Sequence, residues 1–263
     1  MILYRKLLQT YTKFIHQVPF IKLGEITNFE ELLNEFESND VLQSPKALLS
    51  THPVDLEYTG VDVVGLFDYD GKDFSHLGER YLKIDSQLES IFKIGSPTNP
   101  TALAGKLPKI STLVKHILEQ PGRVRISRLS PHKHGEWHSH GNIHPLLEVV
   151  LHIPLISNQL AHTQVGQCPP LFTDDSESCF RIPKKYHTTH FKPGEIWLLN
   201  GMMSHRVIND SDQERVHIWC QSFFLDHDKK IVNTTLLDML DNAIQNYKGP
   251  YFEKQSTDNP ATN

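Results

Sequence analysis

Three histidines carry the clearest chemical potential in this chain: His138 and His140, one residue apart in Glu136-Trp137-His138-Ser139-His140, and His205, far downstream in Ser204-His205-Arg206. On a β-strand alternate side chains share a face, so His138 and His140 can point at one ion, whereas a helix would splay them. Neutral imidazoles are the commonest side-chain ligands for Fe, Zn, Ni and Cu, and a pair from one strand plus a third histidine from a later strand is how an all-β barrel assembles an open metal site. Twelve of the 16 histidines lie between His132 and His227, which localises the chemistry to the second half of the chain. Within that stretch His132, His134, His144, His187 and His190 flank Pro, Gly, Lys and Thr and read as surface residues of loops.

The elements that must position these side chains change character along the chain. The first 120 residues read as mostly helical. Asn28-Phe29-Glu30-Glu31 opens a helix to about Glu37, Leu82 to Phe92 and Leu107 to Glu119 carry helical apolar spacing, and Tyr58 to Tyr69 reads as one strand. From Arg123 short strands follow one another between Gly, Pro and Asn: Val124 to Leu129, Glu136 to His140, Leu147 to Ile156, Glu195 to Leu199, His205 to Ile208 and Val216 to Phe224. Many short strands in so short a span imply a sandwich or barrel. Asn233 to Tyr247 reads as a closing helix and Gln255 to Asn263 as a polar tail. Three regions are expected: residues 1–120 packing on the barrel, residues 121–228 as the barrel itself, and residues 229–263 as helix and tail.

Composition narrows the function classes. A net charge of −5, with no basic run longer than Lys184-Lys185 or Lys229-Lys230, gives no electrostatic case for nucleic acid. Cys168, Cys179 and Cys220 show no CxxC spacing and cannot all pair, so neither a disulfide scaffold nor a thiolate zinc site is indicated. The start of the chain is soon interrupted by charge, and no apolar run approaches the ~20 residues of a membrane span. A cytoplasmic protein without membrane partners is expected.

The ordered motifs Leu129-Ser130-Pro131, His138, Leu151-His152-Ile153-Pro154-Leu155, Pro193-Gly194-Glu195-Ile196-Trp197, His205 with Asn209, and Arg215-Val216-His217 resemble the aspartyl/asparaginyl β-hydroxylase-like group of Fe(II)/2-oxoglutarate dioxygenases. That group also includes hydroxylases of free amino acids such as proline. The resemblance covers roughly residues 107 to 226 and implies a mainly β fold, a double-stranded β-helix of the jelly-roll or cupin-like kind. It further implies an iron held by a His-x-Asp pair and a distal histidine, with an arginine ten residues after the distal histidine gripping the far carboxylate of 2-oxoglutarate. His205 and Arg215 have that spacing. By family position His152, His217 and Ser127 line the cosubstrate pocket.

The chain departs from the pattern at two positions. His140 stands where the ligating Asp is usual, and Val150 stands where an Arg is common, two residues before His152. The metal set is then His138, His140 and His205, or, in a register slipped by two, His140 with Asn142 at the Asp position; Glu136 shares the strand face and can contribute a carboxylate or orient a ligand. Three histidines leave the ion more cationic, so a carboxylate cosubstrate matters more as a charge partner. The expected activity is oxygenation with Fe(II), 2-oxoglutarate and O₂ of a small molecule, an amino acid or its derivative, or of an Asp/Asn-type residue in a peptide. A cupin-like metalloprotein independent of 2-oxoglutarate is the alternative, disfavoured because Glu148 lies eight residues beyond His140 rather than a few; a non-catalytic binding module is another. Trp197 and Trp219 read as core. About the first 100 residues and a loop from Asn158 to Lys185 are expected to cover the barrel mouth and hold the substrate pocket.

Overall fold

Alternation of side chains along the long strands decides the architecture. The computed structural model describes residues 2–39, 41, 61–68, 98–139, 146–166, 182–226 and 228–252. In chain order its elements are α1 (Ile2–Gln17), β1 (Phe20–Glu25), α2 (Phe29–Ser38), β2 (Val61–Asp68), β3 (Asn99–Pro100), α3 (Ala102–Lys106), α4 (Pro108–Ile117), β4 (Val124–Leu129), β5 (Lys133–His134), β6 (Glu148–Ile156), β7 (Ala161–Gly166), β8 (Tyr186–Thr189), β9 (Glu195–Leu199), β10 (His205–Asn209), β11 (Arg215–Phe223) and α5 (Thr234–Gln245). Val149, Leu151 and Ile153 of β6 and Val216, Ile218 and Cys220 of β11 enter one apolar cluster, shared with Leu7, Tyr11 and Phe14 of α1, Val114 of α4 and Leu237 of α5. Val150 and Trp219, which point the other way, belong to a second cluster with Phe20, Val165, Phe191, Leu199, Met203, Phe252 and Trp197. A sheet that is apolar on both faces must be covered on both.

Helices cover one face and a second sheet the other. The larger antiparallel sheet runs β1-β9-β6-β11-β4-β2-β3, and the smaller runs β5-β10-β7-β8. Val165 of β7 packs in the same cluster as Val150 and Leu199, and Arg215 of β11 reaches Thr163 of β7 at 3.4 Å, so the two sheets face each other across one interior. This is the double-stranded β-helix. On the helical side α1 places Leu7, Tyr11, Phe14 and Ile15 at spacings of four, three and one, a single stripe on a 3.6-residue helix. Each such side chain, fully buried, stabilises by about 1.5–3 kcal/mol, which outweighs the exposed Lys6–Asp238 pair (3.0 Å) that also links α1 to α5.

Turn chemistry sets the entry to β9. Pro193-Gly194 needs a residue of positive φ, and Gly194 supplies it at +79°; an added Cβ there would meet the Phe29 ring at 3.0 Å. Beyond α5 the chain returns to the interior. The Phe252 amide donates to the Gln17 carbonyl (2.8 Å) and the Phe252 ring joins the inner cluster, so the end of the described chain packs into the barrel mouth.

Several expectations need correction. Residues 136–139 are not a regular strand: His138 alone pairs, in an isolated antiparallel bridge with His205, while the nearby ladder is Lys133–His134. The stretch expected as a loop from Asn158 to Lys185 contains β7, whose Thr163 and Val165 alternate inward, and β8 follows it directly. Phe20–Glu25, within the region read as mostly helical, is an edge strand pairing with β9 and irregular between Lys22 and Gly24. The helix expected at Leu82 to Phe92, and His140, Asn142 and His144, lie outside the described residues. Among the described residues no helix is long and apolar enough to cross a membrane.

Candidate active site

The two described histidines of the predicted metal set meet at the start of β10. The His138 amide donates to the His205 carbonyl (3.0 Å) and the His205 amide to the His138 carbonyl (2.8 Å), a close pair of bonds that brings the two ring centroids to 4.3 Å. In each, Nδ1 sits 2.9 Å from a main-chain carbonyl two residues earlier, Glu136 for His138 and Met203 for His205. A carbonyl can only accept, so Nδ1 carries the proton and Nε2 the lone pair. That is the tautomer and anchoring a metal-binding histidine uses. His205 is buried and His138 half-buried. Among the described residues no three His, Cys, Asp or Glu groups stand together as a metal cluster; the donors there are these two imidazoles, and the neighbouring His140 lies outside those residues.

Below this pair the inner face carries the residues expected around the cosubstrate. β11 places Arg215, His217 and Trp219 inward, β4 sets Ser127 opposite His217, and β6 sets His152 opposite Trp219. Arg215 is 4% exposed and the one hydrogen bond of its guanidinium among the described residues is to the Thr163 hydroxyl, with no carboxylate beside it. Burial pushes its pKa down to about 9, the signature of a cation taken out of water without a counter-charge. His217 is 1% exposed, and burial, reinforced by Arg215, His152 and His190, holds it well below the usual histidine range, so it is neutral. Neither of its ring nitrogens has a hydrogen-bond partner among the described residues. Its ring lies 5.8 Å from His152 and 6.3 Å from Phe191, which itself stacks on Trp197 at 4.6 Å.

Other motif residues are structural. The Asn209 side chain is fully buried and its amide nitrogen donates to the carbonyls of Leu129, Ser130 and Gln213 (3.2, 3.1 and 2.7 Å), while its oxygen accepts from the Ser211 hydroxyl (2.7 Å). It ties the end of β4 to the turn that delivers Arg215. Glu195, also buried, accepts from Lys22 (2.7 Å), the Trp197 indole (2.8 Å) and the Lys192 amide (2.9 Å). Burial opposes its charge, but these bonds prevail and hold its carboxyl below the usual range. Trp219 is capped on the inner side by the Arg125 guanidinium at 4.8 Å. His132 and His134 are exposed, each bonded to an aspartate, whereas His190 bonds the Ser157 hydroxyl and His187 packs on Phe252, both half-buried. Thr163 is the contact that reading the sequence missed; the alternation of Thr163 and Val165 was its signal.

The profile of the aspartyl/asparaginyl beta-hydroxylase family matches residues 89–223. The chain belongs to this family. It is accordingly an enzyme of the 2-oxoglutarate-dependent oxygenase type, and the family depends on iron and 2-oxoglutarate. No curated protein matches the chain significantly. Among solved structures it is similar to AviO1 from Streptomyces viridochromogenes Tue57 (11% identity, 86% of this chain and 97% of that one, TM-score 0.47). It is also similar to the non-heme alpha-ketoglutarate-dependent epimerase SnoN from nogalamycin biosynthesis (12%, 82% and 79%, 0.46) and to a cupin domain from Bordetella pertussis Tohama I (18%, 38% and 78%, 0.26). None of these scores reaches 0.5, and the fold rests on the strand pairing itself.

Proposed function

We propose that this oxygenase uses Fe(II), 2-oxoglutarate and O₂ to hydroxylate a C–H bond of a free amino acid or its derivative, with peptide Asp/Asn residues as the second substrate class. His138, His140 and His205 hold the metal. Arg215 grips the distal carboxylate of 2-oxoglutarate, and Ser127, His152 and His217 line the cosubstrate between metal and arginine. Bound iron supplies the redox chemistry that couples cosubstrate decarboxylation to insertion of one oxygen atom into the substrate.

The carrying observation is Arg215, a buried guanidinium with no carboxylate beside it among the described residues, in the sheet opposite the one that carries His205. Burying an unpaired charge costs several kcal/mol, and a dicarboxylate entering the barrel supplies the missing charge to a planar fork suited to bind it bidentately. Neutral His217 can donate one N–H to that ligand without adding a second cation. Above them the protonated Nδ1 atoms of His138 and His205 fix which nitrogen faces the metal.

Anaerobic titration of the Fe-loaded protein with 2-oxoglutarate tests the assignment. Heat and a charge-transfer band are expected for the wild type. Removing one partner of a buried charged pair costs roughly 3–5 kcal/mol, so Arg215→Ala should weaken cosubstrate binding by orders of magnitude while retaining metal. His205→Ala should lose the metal itself. A silent wild-type titration overturns the cosubstrate role and favours a cupin-like metalloprotein. A screen of amino acids and short peptides for stimulated turnover, with product heavier by one oxygen, decides substrate class; stimulation by peptides alone reverses the stated preference.

A further inference from the structure

A hydrogen bond crosses the barrel interior, and its acceptor has chemistry left over. Thr163 lies in the middle of β7, paired with Val207 of β10 on one side and Thr189 of β8 on the other, and is 1% exposed. It alternates with Val165, whose side chain enters the inner cluster, so its own side chain also faces the interior. There its Oγ1 accepts from Arg215 Nη2 of the opposite sheet at 3.4 Å. A β-branched shape suits a buried strand, but Val has that shape without a polar atom to satisfy, as Val165 two residues on shows.

At this end of the interior donors outnumber acceptors. A guanidinium only donates, and one N–H of Arg215 goes to Thr163. A hydroxyl that accepts still has its own hydrogen to place, and Arg215 offers nothing to receive it. Both ring nitrogens of His217, two residues along β11, lack a partner among the described residues, although in either tautomer one of them bears a hydrogen. Among the described residues no carboxylate stands beside Arg215, and no hydrogen bond takes the hydroxyl hydrogen of Thr163. Buried donors from two sheets, short of acceptors, call for an acceptor-rich anion between them.

We infer that Thr163 is a cosubstrate-binding residue: its hydroxyl donates to the distal carboxylate of 2-oxoglutarate, while its oxygen steadies the Arg215 fork that grips the same group. The inference deepens the oxygenase reading and rests on it for the identity of the anion. A carboxylate accepts at both oxygens, so a guanidinium nitrogen and a hydroxyl 3.4 Å apart can share one. Because the two donors come from opposite sheets, the anion is held from both sides of the interior. A 2-oxo acid without a distal carboxylate gains nothing from Thr163.

Anaerobic titrations of the Fe-loaded enzyme, followed by heat and by the charge-transfer band, test this with 2-oxoglutarate and with 2-oxobutyrate, which has no distal carboxylate. Thr163→Val, nearly isosteric, should weaken 2-oxoglutarate roughly 10- to 100-fold, the range of a hydrogen bond to a charged group, and Thr163→Ser should stay within about threefold of the wild type. Affinity for 2-oxobutyrate should be equal in wild type and Thr163→Val, which a general disturbance of the site would not allow. In an Arg215→Lys background, which keeps a cation, Thr163→Val should still weaken 2-oxoglutarate severalfold. Unchanged 2-oxoglutarate affinity in Thr163→Val, a parallel loss of 2-oxobutyrate, or no effect in the Arg215→Lys background overturns the assignment. Should Thr163→Val not fold, Thr163→Ala carries the same comparisons. A wild type that binds no 2-oxoglutarate sinks the oxygenase reading and this inference with it, whereas binding that Thr163→Val matches sinks the inference alone.

Discussion

His217 shows what a buried polar side chain without a hydrogen-bond partner among the described residues does to the stability of the fold. Its imidazole is buried and neutral beside Arg215, with no hydrogen-bond partner for either nitrogen among the described residues. In the unfolded chain the same histidine binds a proton near its ordinary value of 6.5, whereas the folded protein resists protonation until well below it. The unfolded state therefore holds more protons through that window, so stability is full above about pH 6.5 and falls as the pH drops, by up to about 1.4 kcal/mol per pH unit for one proton. Denaturant midpoints of the ligand-free protein between pH 7 and 5 should show this decline, and His217→Leu should flatten it without loss of stability at pH 7, since an apolar group relieves a buried polar one. An unaltered pH slope in His217→Leu would assign the decline to other groups. At this scale the sequence singles out His205 and Arg215 by spacing and residue type, and the structure buries both. The state of His217 could not, since burial and the proximity of Arg215 exist only once strands have paired.

Between elements, the connection from β10 to β11 is what converts sequence spacing into geometry. Asn209 gives hydrogen bonds to three carbonyls, from Leu129, Ser130 and Gln213, and so fixes the turn against β4 before Arg215 enters the barrel. Replacing it by Ala leaves those carbonyls unpaired in a buried turn, a loss of about 3 kcal/mol or more. Asn209→Asp, nearly isosteric, should be at least as damaging because it sets a carboxylate against three acceptors. Both variants should lower the denaturation midpoint and weaken 2-oxoglutarate binding with metal content retained; an Asp variant as stable as wild type would deny the turn its lock. The long strands β6, β9 and β11 were legible because both faces are buried and apolar residues run on. β7 was not, since its Ala161-His162-Thr163-Gln164 start looks like a polar loop until β10 pairs with it. His138 reads as part of a strand but pairs only in one bridge, because a two-histidine alternation shows which side chains share a face and not how far a ladder continues.

On the scale of the whole molecule, the barrel interior is closed by a segment remote in sequence from the site. Phe252 is 6% exposed and packs among Phe20, Val150, Val165, Leu199 and Met203, with His187 5.8 Å from its ring. The hydroxyl of Tyr247 reaches the carbonyls of Phe20 and Pro250 (3.1 and 2.7 Å), and the Phe252 amide bonds Gln17, so the arm after α5 is pinned to both ends of the link between α1 and β1. The helical cover and the two-sheet core could be anticipated from periodicity, but this closure could not, because a lone Phe after Gly249-Pro250-Tyr251 has no periodic neighbours. Truncating a buried Phe to Ala costs about 3–5 kcal/mol. At roughly 2–4 °C per kcal/mol for a chain of this size, Phe252→Ala should lower Tm by about 6 °C or more. Tyr251→Ala, at an exposed neighbour, should leave Tm nearly unchanged and serves as the control. Because Phe252 shares the inner cluster with Val150 and Leu199, its loss should also let water into the inner mouth and raise 2-oxoglutarate turnover that yields no hydroxylated product, measured as succinate formed per product. A Phe252→Ala protein that melts and couples like the wild type would show that the arm lies over the mouth without sealing it.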